Sequence, residues 1–243
     1  MFTKFNLDFE SDIFDELSKS TEFEDVTAGR QGGVLVNQVD DMIPIVRTTT
    51  NYHRPSQRFL PIHYDIMEKI KLKLDLNGIP LNFNNALIEI YDSTYRSMGY
   101  HSDQALDLDQ SYIALFSSYD DQKDLRKLKV KDKQTHEGID IVLDQYYVVL
   151  FSVETNRKYL HKIILDQSSR PNRWLGITFR QSKTFIRFHN ELPYFISGVM
   201  LTLANDDQRR EFYKYRKTEN VNVEHTYPEM NYTISESDTM CVL

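Results

Sequence analysis

"ALIEIYDSTYRSMGYHSDQALDLDQSYIALFSSY" (residues 86–119) is the stretch whose reading decides the fold. Its two ends, 86–91 and 111–119, are rich in Ile, Leu, Phe and Tyr and read as strands. Between them stand His101 and Asp103, two residues apart in a segment of strand character. Residues i and i+2 of an extended chain project to one face, so these two side chains can serve one ion. A second His-x-Asp pair, His63 and Asp65, opens a segment with helical spacing. There, residues two apart diverge by roughly 200° around the axis. His63 is therefore expected on the helix surface or capping its start.

A third ligand is found in "KYLHKIIL" (158–165), where His161 sits mid-strand with Tyr159 and Ile163 on its face. Two histidines and one carboxylate on one side of an ion leave its other positions open, an arrangement that favours non-haem Fe(II). A hydrogen-bonded core histidine at 161, with an exposed pair at 101 and 103, is the alternative reading of the same residues.

The chain's 243 residues suffice for one substantial domain with its own core. An apolar fraction of 40% with 27% charged residues is ordinary for a globular protein, and fifteen Tyr with fourteen Phe favour strands. The single Cys241 excludes an internal disulfide framework and a cysteine zinc cage. It fits a reducing compartment, which makes the expected location intracellular, cytoplasmic or nuclear. The terminal "MCVL" has its Cys third from the end, one place short of a prenylation signal. No run of about 18 apolar residues is present, so no membrane span is expected. The net charge of −7 argues against a surface coated for nucleic acid, although Lys and Arg gather in 123–133 and 209–217.

Along the chain, 5–25 reads as a short acidic helix and its surroundings. "TAGRQGGVL" (27–35) reads as a glycine-rich turn, and 43–59 as extended chain broken by Pro55. Apolar residues at 62, 66, 70 and 74 after Pro61 predict a helix. Strand-like runs follow at 86–91, 111–119, 145–153, 158–165, 173–180 and 184–189, then a closing helix over about 205–217. Residues 218–243 show little apolar periodicity and are expected to form a mobile tail. The pattern is α+β, with a barrel or double-sheet jelly roll. There is no P-loop, G-x-G-x-x-G or G-x-S-x-G, so nucleotide-triphosphate, dinucleotide and α/β-hydrolase chemistries lack their usual supports.

Four blocks in order over roughly 43–190 resemble the AlkB-like 2-oxoglutarate- and Fe(II)-dependent dioxygenases. They are "IVRTTTNYHRPSQRF", the 86–119 stretch, "DQYYVVLFSVETNRKYLHKIIL" and "RWLGITFR". The resemblance implies a double-stranded β-helix (jelly-roll) core with N-terminal helical and extended elements packed on it, in a domain over 1–217. It implies that His101, Asp103 and His161 bind Fe(II), that Arg180 binds a carboxylate of 2-oxoglutarate, and that Tyr91 hydrogen-bonds the same cosubstrate. It further implies oxidation of a substrate C–H bond by O2, with succinate and CO2 as coproducts; at an N-methyl carbon the outcome is demethylation.

Two positions depart from the family pattern. Trp174 stands where a second arginine is usual, and the neighbouring Arg173 would point to the opposite face unless a bulge brings it round. Glu89 replaces a frequent asparagine, and its carboxylate would repel the cosubstrate unless paired or turned away. Lys183 and Arg187 are alternative carboxylate partners, with a solvated strand face as their other reading.

For a nucleic-acid substrate, Tyr52 and His53 are the candidate stacking residues, and Arg47, Arg54 and Arg58 could meet phosphates. The basic runs 123–133 and 209–217 read either as nucleic-acid contacts or as a charged hairpin and an amphipathic helix with aromatics turned inward. The substrate classes in view are methylated DNA or RNA, a protein side chain, or a small molecule. A binding protein that keeps the fold without turnover is a third possibility, should Glu89 and Trp174 disable the cosubstrate site.

Overall fold

Alternation along the strands builds the architecture of the computed structural model, which describes residues 1–75, 81–166 and 171–243. The larger sheet runs, neighbour to neighbour, β1 (Thr3–Asn6), β10 (Tyr147–Ser152), β7 (Tyr112–Tyr119), β12 (Arg173–Arg180), β6 (Asn85–Asp92), β3 (Arg30–Val36) and β2 (Glu24–Thr27). All these pairs are antiparallel; β5 (Gln57–Arg58) adds a short parallel pairing to β3. A smaller antiparallel sheet holds β11 (Tyr159–Ile164), β8 (Lys127–Asp132) and β9 (Gly138–Val142). Another contains β14 (Leu192–Phe195), β13 (Phe185–His189) and β4 (Ile43–Pro44), and β15 (Thr202–Leu203) pairs in parallel with β16 (Tyr232–Thr233). The helices are α1 (Phe14–Lys19), α2 (Pro61–Asp75), α3 (Val153–Lys158) and α4 (Asp206–Glu219). None is long and apolar enough to cross a membrane.

The central strands of the larger sheet, β10, β7, β12 and β6, are buried on both faces, which is why they read as nearly continuous apolar runs. On β12, Leu175, Ile177 and Phe179 face a core shared with Ile66, Ile70 and Leu74 of α2 and with Phe14 and Leu17 of α1. The alternate residues of β12, β6 and β7, among them Trp174, Tyr91, Ile113 and Leu115, pack with Leu128, Val130 and Ile163 of the smaller sheet. Two antiparallel sheets thus enclose a second core, as the α+β double-sheet expectation required. The cavity described below opens within that layer.

Three segments differ from the sequence expectation. The turn within 27–35 is confined to Ala28 and Gly29, where Gly29 has φ +72°, and a strand begins at once with Arg30. Glycines at 32 and 33 hide that strand from a propensity reading; the ring of Tyr52 packs close enough to Gly32 that a Cβ there would lie 3.0 Å from its hydroxyl. The stretch over 43–59 contains only β4 and β5 as strand. Residues 218–243, expected as a mobile tail, are packed: Met230, Tyr232 and Ile234 are buried with Phe212 of α4. Arg47 donates to the carbonyls of Met230 (2.8 Å) and Tyr232 (3.2 Å), and Thr233 Oγ1 donates to the buried Asp238 at 2.6 Å. Three alternating residues are too short a pattern to read locally, and their partners lie far away in sequence.

α2 begins with Pro61, whose missing N–H costs nothing at a helix start. His63 caps this end as expected, accepting from the Leu60 N–H through Nδ1 at 2.9 Å. It is not on the surface, however: it is fully buried, and Nε2 meets Ser20 Oγ at 3.0 Å. Burial pushes its pKa down to about 4. In the unfolded chain the ring protonates near pH 6.5, so this contribution to stability is intact above 6.5 and falls away as pH drops towards 4. Urea titrations should show the wild type losing about 2 kcal/mol more than His63→Gln between pH 7 and pH 5. Parallel curves for the two proteins would refute the assignment.

Candidate metal centre

His101 and His161 face each other across an isolated antiparallel bridge. The His101 N–H donates to the His161 carbonyl at 3.0 Å, and the His161 N–H returns the bond at 2.6 Å. Only this bridge of the expected strand at 101–103 exists. It suffices to put both imidazoles on one side, with ring centroids 4.7 Å apart. Asp103 lies beyond the bridge, where the buried Asn156 side chain replaces a strand partner: it accepts from the Asp103 N–H and donates to the Asp103 carbonyl, both at 2.7 Å. Asn156 is placed by α3, whose start is capped by Ser152 Oγ accepting from the Thr155 N–H at 3.0 Å.

His101, Asp103 and His161 each offer a ligand atom within 4.8 Å of the others. Asp103 divides its oxygens between two tasks. Oδ1 faces the imidazoles, 3.4 Å from His161 Nε2 and 3.9 Å from His101 Nε2. Oδ2 accepts both Nε (3.0 Å) and Nη2 (2.8 Å) of Arg180. Burial alone would raise the Asp103 pKa, but Arg180 and the two imidazoles outweigh it and keep the carboxyl ionised, far below its usual range. Burial and the neighbouring His161 lower the pKa of His101, which favours the neutral ring a metal requires. His101 Nδ1 lies 3.0 Å from the Gly99 carbonyl, a contact that places its proton there and frees Nε2. His161 Nδ1 is buried with no partner among the described residues. Two imidazoles and a carboxylate with one oxygen turned towards them are the donor chemistry of a divalent non-haem site, and these residues fit one.

The loop carrying these ligands is held from α4, whose role the sequence reading missed. Asn220 Oδ1 accepts the Ser102 N–H (3.1 Å), Arg216 donates to the Ser102 carbonyl, and Glu219 Oε1 accepts the Ala105 N–H (2.9 Å). Lys133 Nζ reaches Ser102 Oγ (3.3 Å) and the Glu219 carbonyl (2.7 Å). No local pattern marks these residues, because each acts on a peptide far away along the chain.

The triad lines a cavity of about 380 Å³ with apolar walls that include Leu115, Leu128, Phe151 and Ile163. The same cavity is lined by Arg30, Glu89 and Tyr91. Arg30, unsuspected from the sequence, donates to Glu89 Oε1 through Nε (2.8 Å) and Nη2 (2.5 Å), and Tyr91 donates to Glu89 Oε2 at 2.7 Å. Glu89 is thus paired, the condition under which its charge is tolerable. Burial would lower the Arg30 pKa, yet Glu89 raises it, so the guanidinium stays charged.

Other expected site residues sit elsewhere. Arg173 follows regular strand alternation with no bulge, lies half-exposed on the opposite face and pairs with Asp120 at 2.9 Å, so it does not line the cavity. Tyr52 is buried and its hydroxyl donates to Glu89 Oε1 at 3.5 Å, which leaves no open face for stacking. Arg47 is also buried, gripping Asp107 at 2.7 Å, and offers nothing to a phosphate. His53 is exposed and lies 3.2 Å from Glu236, away from the cavity lining. Arg187 is half-exposed beside Asp41, a solvated strand face. The basic run 123–133 is largely a charged hairpin, with Lys129 on Asp140 and Lys127 on Asp166.

No protein-family profile matches the chain, and no curated protein matches it. Among solved structures, OsALKBH1 aligns at 18% identity with a TM-score of 0.44, over 69% of this chain and 88% of its own. A prolyl-4-hydroxylase from Pseudomonas putida aligns at 14% identity with a TM-score of 0.45, over 74% and 92%. With scores and identities this low, the likeness carries no weight for activity, and the triad's geometry must carry it.

His161→Ala should abolish retention of a divalent ion in equilibrium dialysis, while His63→Ala retains it. Equal loss in both variants would place the ion elsewhere. Asn156→Ala, which frees the Asp103 peptide, should weaken metal binding by about 10- to 100-fold. Unchanged affinity would show that the peptide clamp does not position the ligand.

Proposed function

We propose that this chain is an AlkB-like Fe(II)- and 2-oxoglutarate-dependent oxygenase. The observation that carries the reading is the division of Asp103: one oxygen faces two imidazoles while Arg180 occupies the other. His101, Asp103 and His161 would hold the ferrous ion and leave its remaining positions to ligands. When iron and the cosubstrate are bound, the centre supplies oxidation of a substrate C–H bond by O2, coupled to conversion of 2-oxoglutarate to succinate and CO2.

The chain's own residues prepare that chemistry. Arg180 keeps Asp103 ionised and limits it to one ligating oxygen. Its Nη1 is buried without a partner among the described residues, a donor available to a carboxylate beside the triad. Leu115, Leu128, Phe151 and Ile163 exclude bulk water from one wall of the cavity, which strengthens the polar contacts inside it.

The positions of Tyr52 and Arg47 favour a protein side chain or small molecule over a nucleic-acid base, in line with the net charge of −7. One feature supports a base: Tyr100, on the cavity lining and partly exposed next to His101, with Lys162 4.6 Å from its ring centroid. An aromatic face beside the first metal-binding histidine, with a cation at hand, suits stacking.

Incubated with Fe(II), 2-oxoglutarate and ascorbate, the protein should release succinate and His161→Ala should not. Addition of methylated DNA or RNA oligonucleotides should leave the rate unchanged. Stimulation by an oligonucleotide would establish the base as substrate. Absence of succinate under every condition would leave a binding protein on this fold.

A further inference from the structure

Charged side chains from separate strands converge on the recess around Tyr91. Tyr91 lies in the middle of three strands: its cross-strand partner on β12 is Trp174, and its partner on β3 is Arg30. An arginine at 174 would reach the cavity from the β12 side. Trp174 cannot replace it. The indole is buried, its ring centroid lies 4.8 Å from that of Tyr91, and it covers Gly176 so closely that a Cβ there would fall 2.0 Å from the ring. The guanidinium is supplied from the β3 side instead, with Arg30 Cζ 5.9 Å from the Tyr91 ring centroid.

Glu89 occupies the donors of this recess. Its two oxygens take Arg30 and the Tyr91 hydroxyl, the partners that a ligand's carboxylate would seek there. Arg30 uses Nε and Nη2 for this contact and also meets the Tyr52 hydroxyl, while its side chain lines the cavity. Behind the Tyr91 ring lies another guanidinium: Arg126, fully buried, with its Cζ 5.2 Å from the centroid. Its hydrogen-bond partners are the carbonyls of Tyr95 and Asp92. Two guanidinium groups and one cavity-facing carboxylate therefore flank Tyr91, a balance that accepts one more negative charge.

We propose that Arg30, delivered from β3, receives the far carboxylate of the 2-oxo acid cosubstrate, and that Glu89 is a resident counter-ion with which the cosubstrate shares it. This assignment rests on the oxygenase reading and specifies how its site selects a dicarboxylate. Arg30 sets the preference for a second carboxylate; Glu89 weakens the grip by holding two of the donors and by repulsion at short range.

The test uses the full-length chain loaded with Mn(II) and the fluorescence of Trp174, the protein's only tryptophan and a neighbour of the recess. The two ligands are 2-oxoglutarate and 2-oxobutyrate, which lacks the second carboxylate. Wild type should bind 2-oxoglutarate more tightly by about tenfold or more. Arg30→Met should remove that preference by weakening 2-oxoglutarate alone, and Glu89→Gln should strengthen 2-oxoglutarate severalfold without affecting 2-oxobutyrate. The double variant Arg30→Met/Glu89→Gln leaves no unpaired buried charge and should also lack the preference, which guards against misfolding of the single variant. Retention of the preference in both Arg30 variants overturns the assignment while the oxygenase reading stands. Loss of 2-oxoglutarate affinity in Glu89→Gln overturns the counter-ion role. If neither acid binds the wild type, the oxygenase reading falls and the assignment with it.

Discussion

Two backbone hydrogen bonds between His101 and His161 are the constraint on which the site depends. They join the loop after β6 to the smaller sheet at one of two isolated bridges among the described residues, the other pairing Ser97 with Ile164. A hydrogen-bonded antiparallel pair fixes both Cβ directions at once, so the two imidazoles share a face without any longer ladder. Asp103 falls outside that bridge and needs its own support. Asn156 provides it as a side chain that imitates a neighbouring strand, and the end of α4 secures the peptides on either side. Side chains take the place of a neighbouring strand in satisfying the ligand loop's backbone.

The cavity also obeys a strict electrostatic rule. Burying a charge without a partner is costly, and the charged groups lining this space are paired: Arg180 with Asp103, Arg30 with Glu89, and Arg216 with Glu219. Each pair sets a different property. The first leaves one carboxylate oxygen facing the imidazoles. The second keeps a guanidinium charged beside Tyr91, whose ring packs on the buried Trp174 indole. The third ties α4 to the loop that carries the ligands. Dividing the charge this way leaves the cavity nearly neutral before any ion enters, with donors still directed into it.

The site's chemistry was visible in the sequence to the extent that it depends on short spacing. His101 and Asp103 lie two residues apart, and His161 interrupts an apolar strand; both are local signals. Arg180 came from the family resemblance and not from a local signal, and its first partner is Asp103. Arg30 was hidden because two glycines made its strand resemble a turn. Those glycines are there for packing: Tyr52 fills the space over Gly32. Tyr52 and Arg47 misled for the opposite reason. Aromatic and basic residues in an extended segment suggest a binding surface, and only long-range contacts show that one supports Glu89 and the other anchors the C-terminal segment.

The sequence by itself determined six strands between residues 86 and 189, the two longer helices, the α+β class and the three metal-ligand candidates, because periodicity, turn residues and i, i+2 geometry act over a few residues. Tertiary structure alone decided which guanidinium meets which carboxylate, that residues 230–234 close against α4, and that one of the cavity's arginines comes from β3. Those outcomes depend on which strands become neighbours, and strand order brings together residues that no local pattern relates.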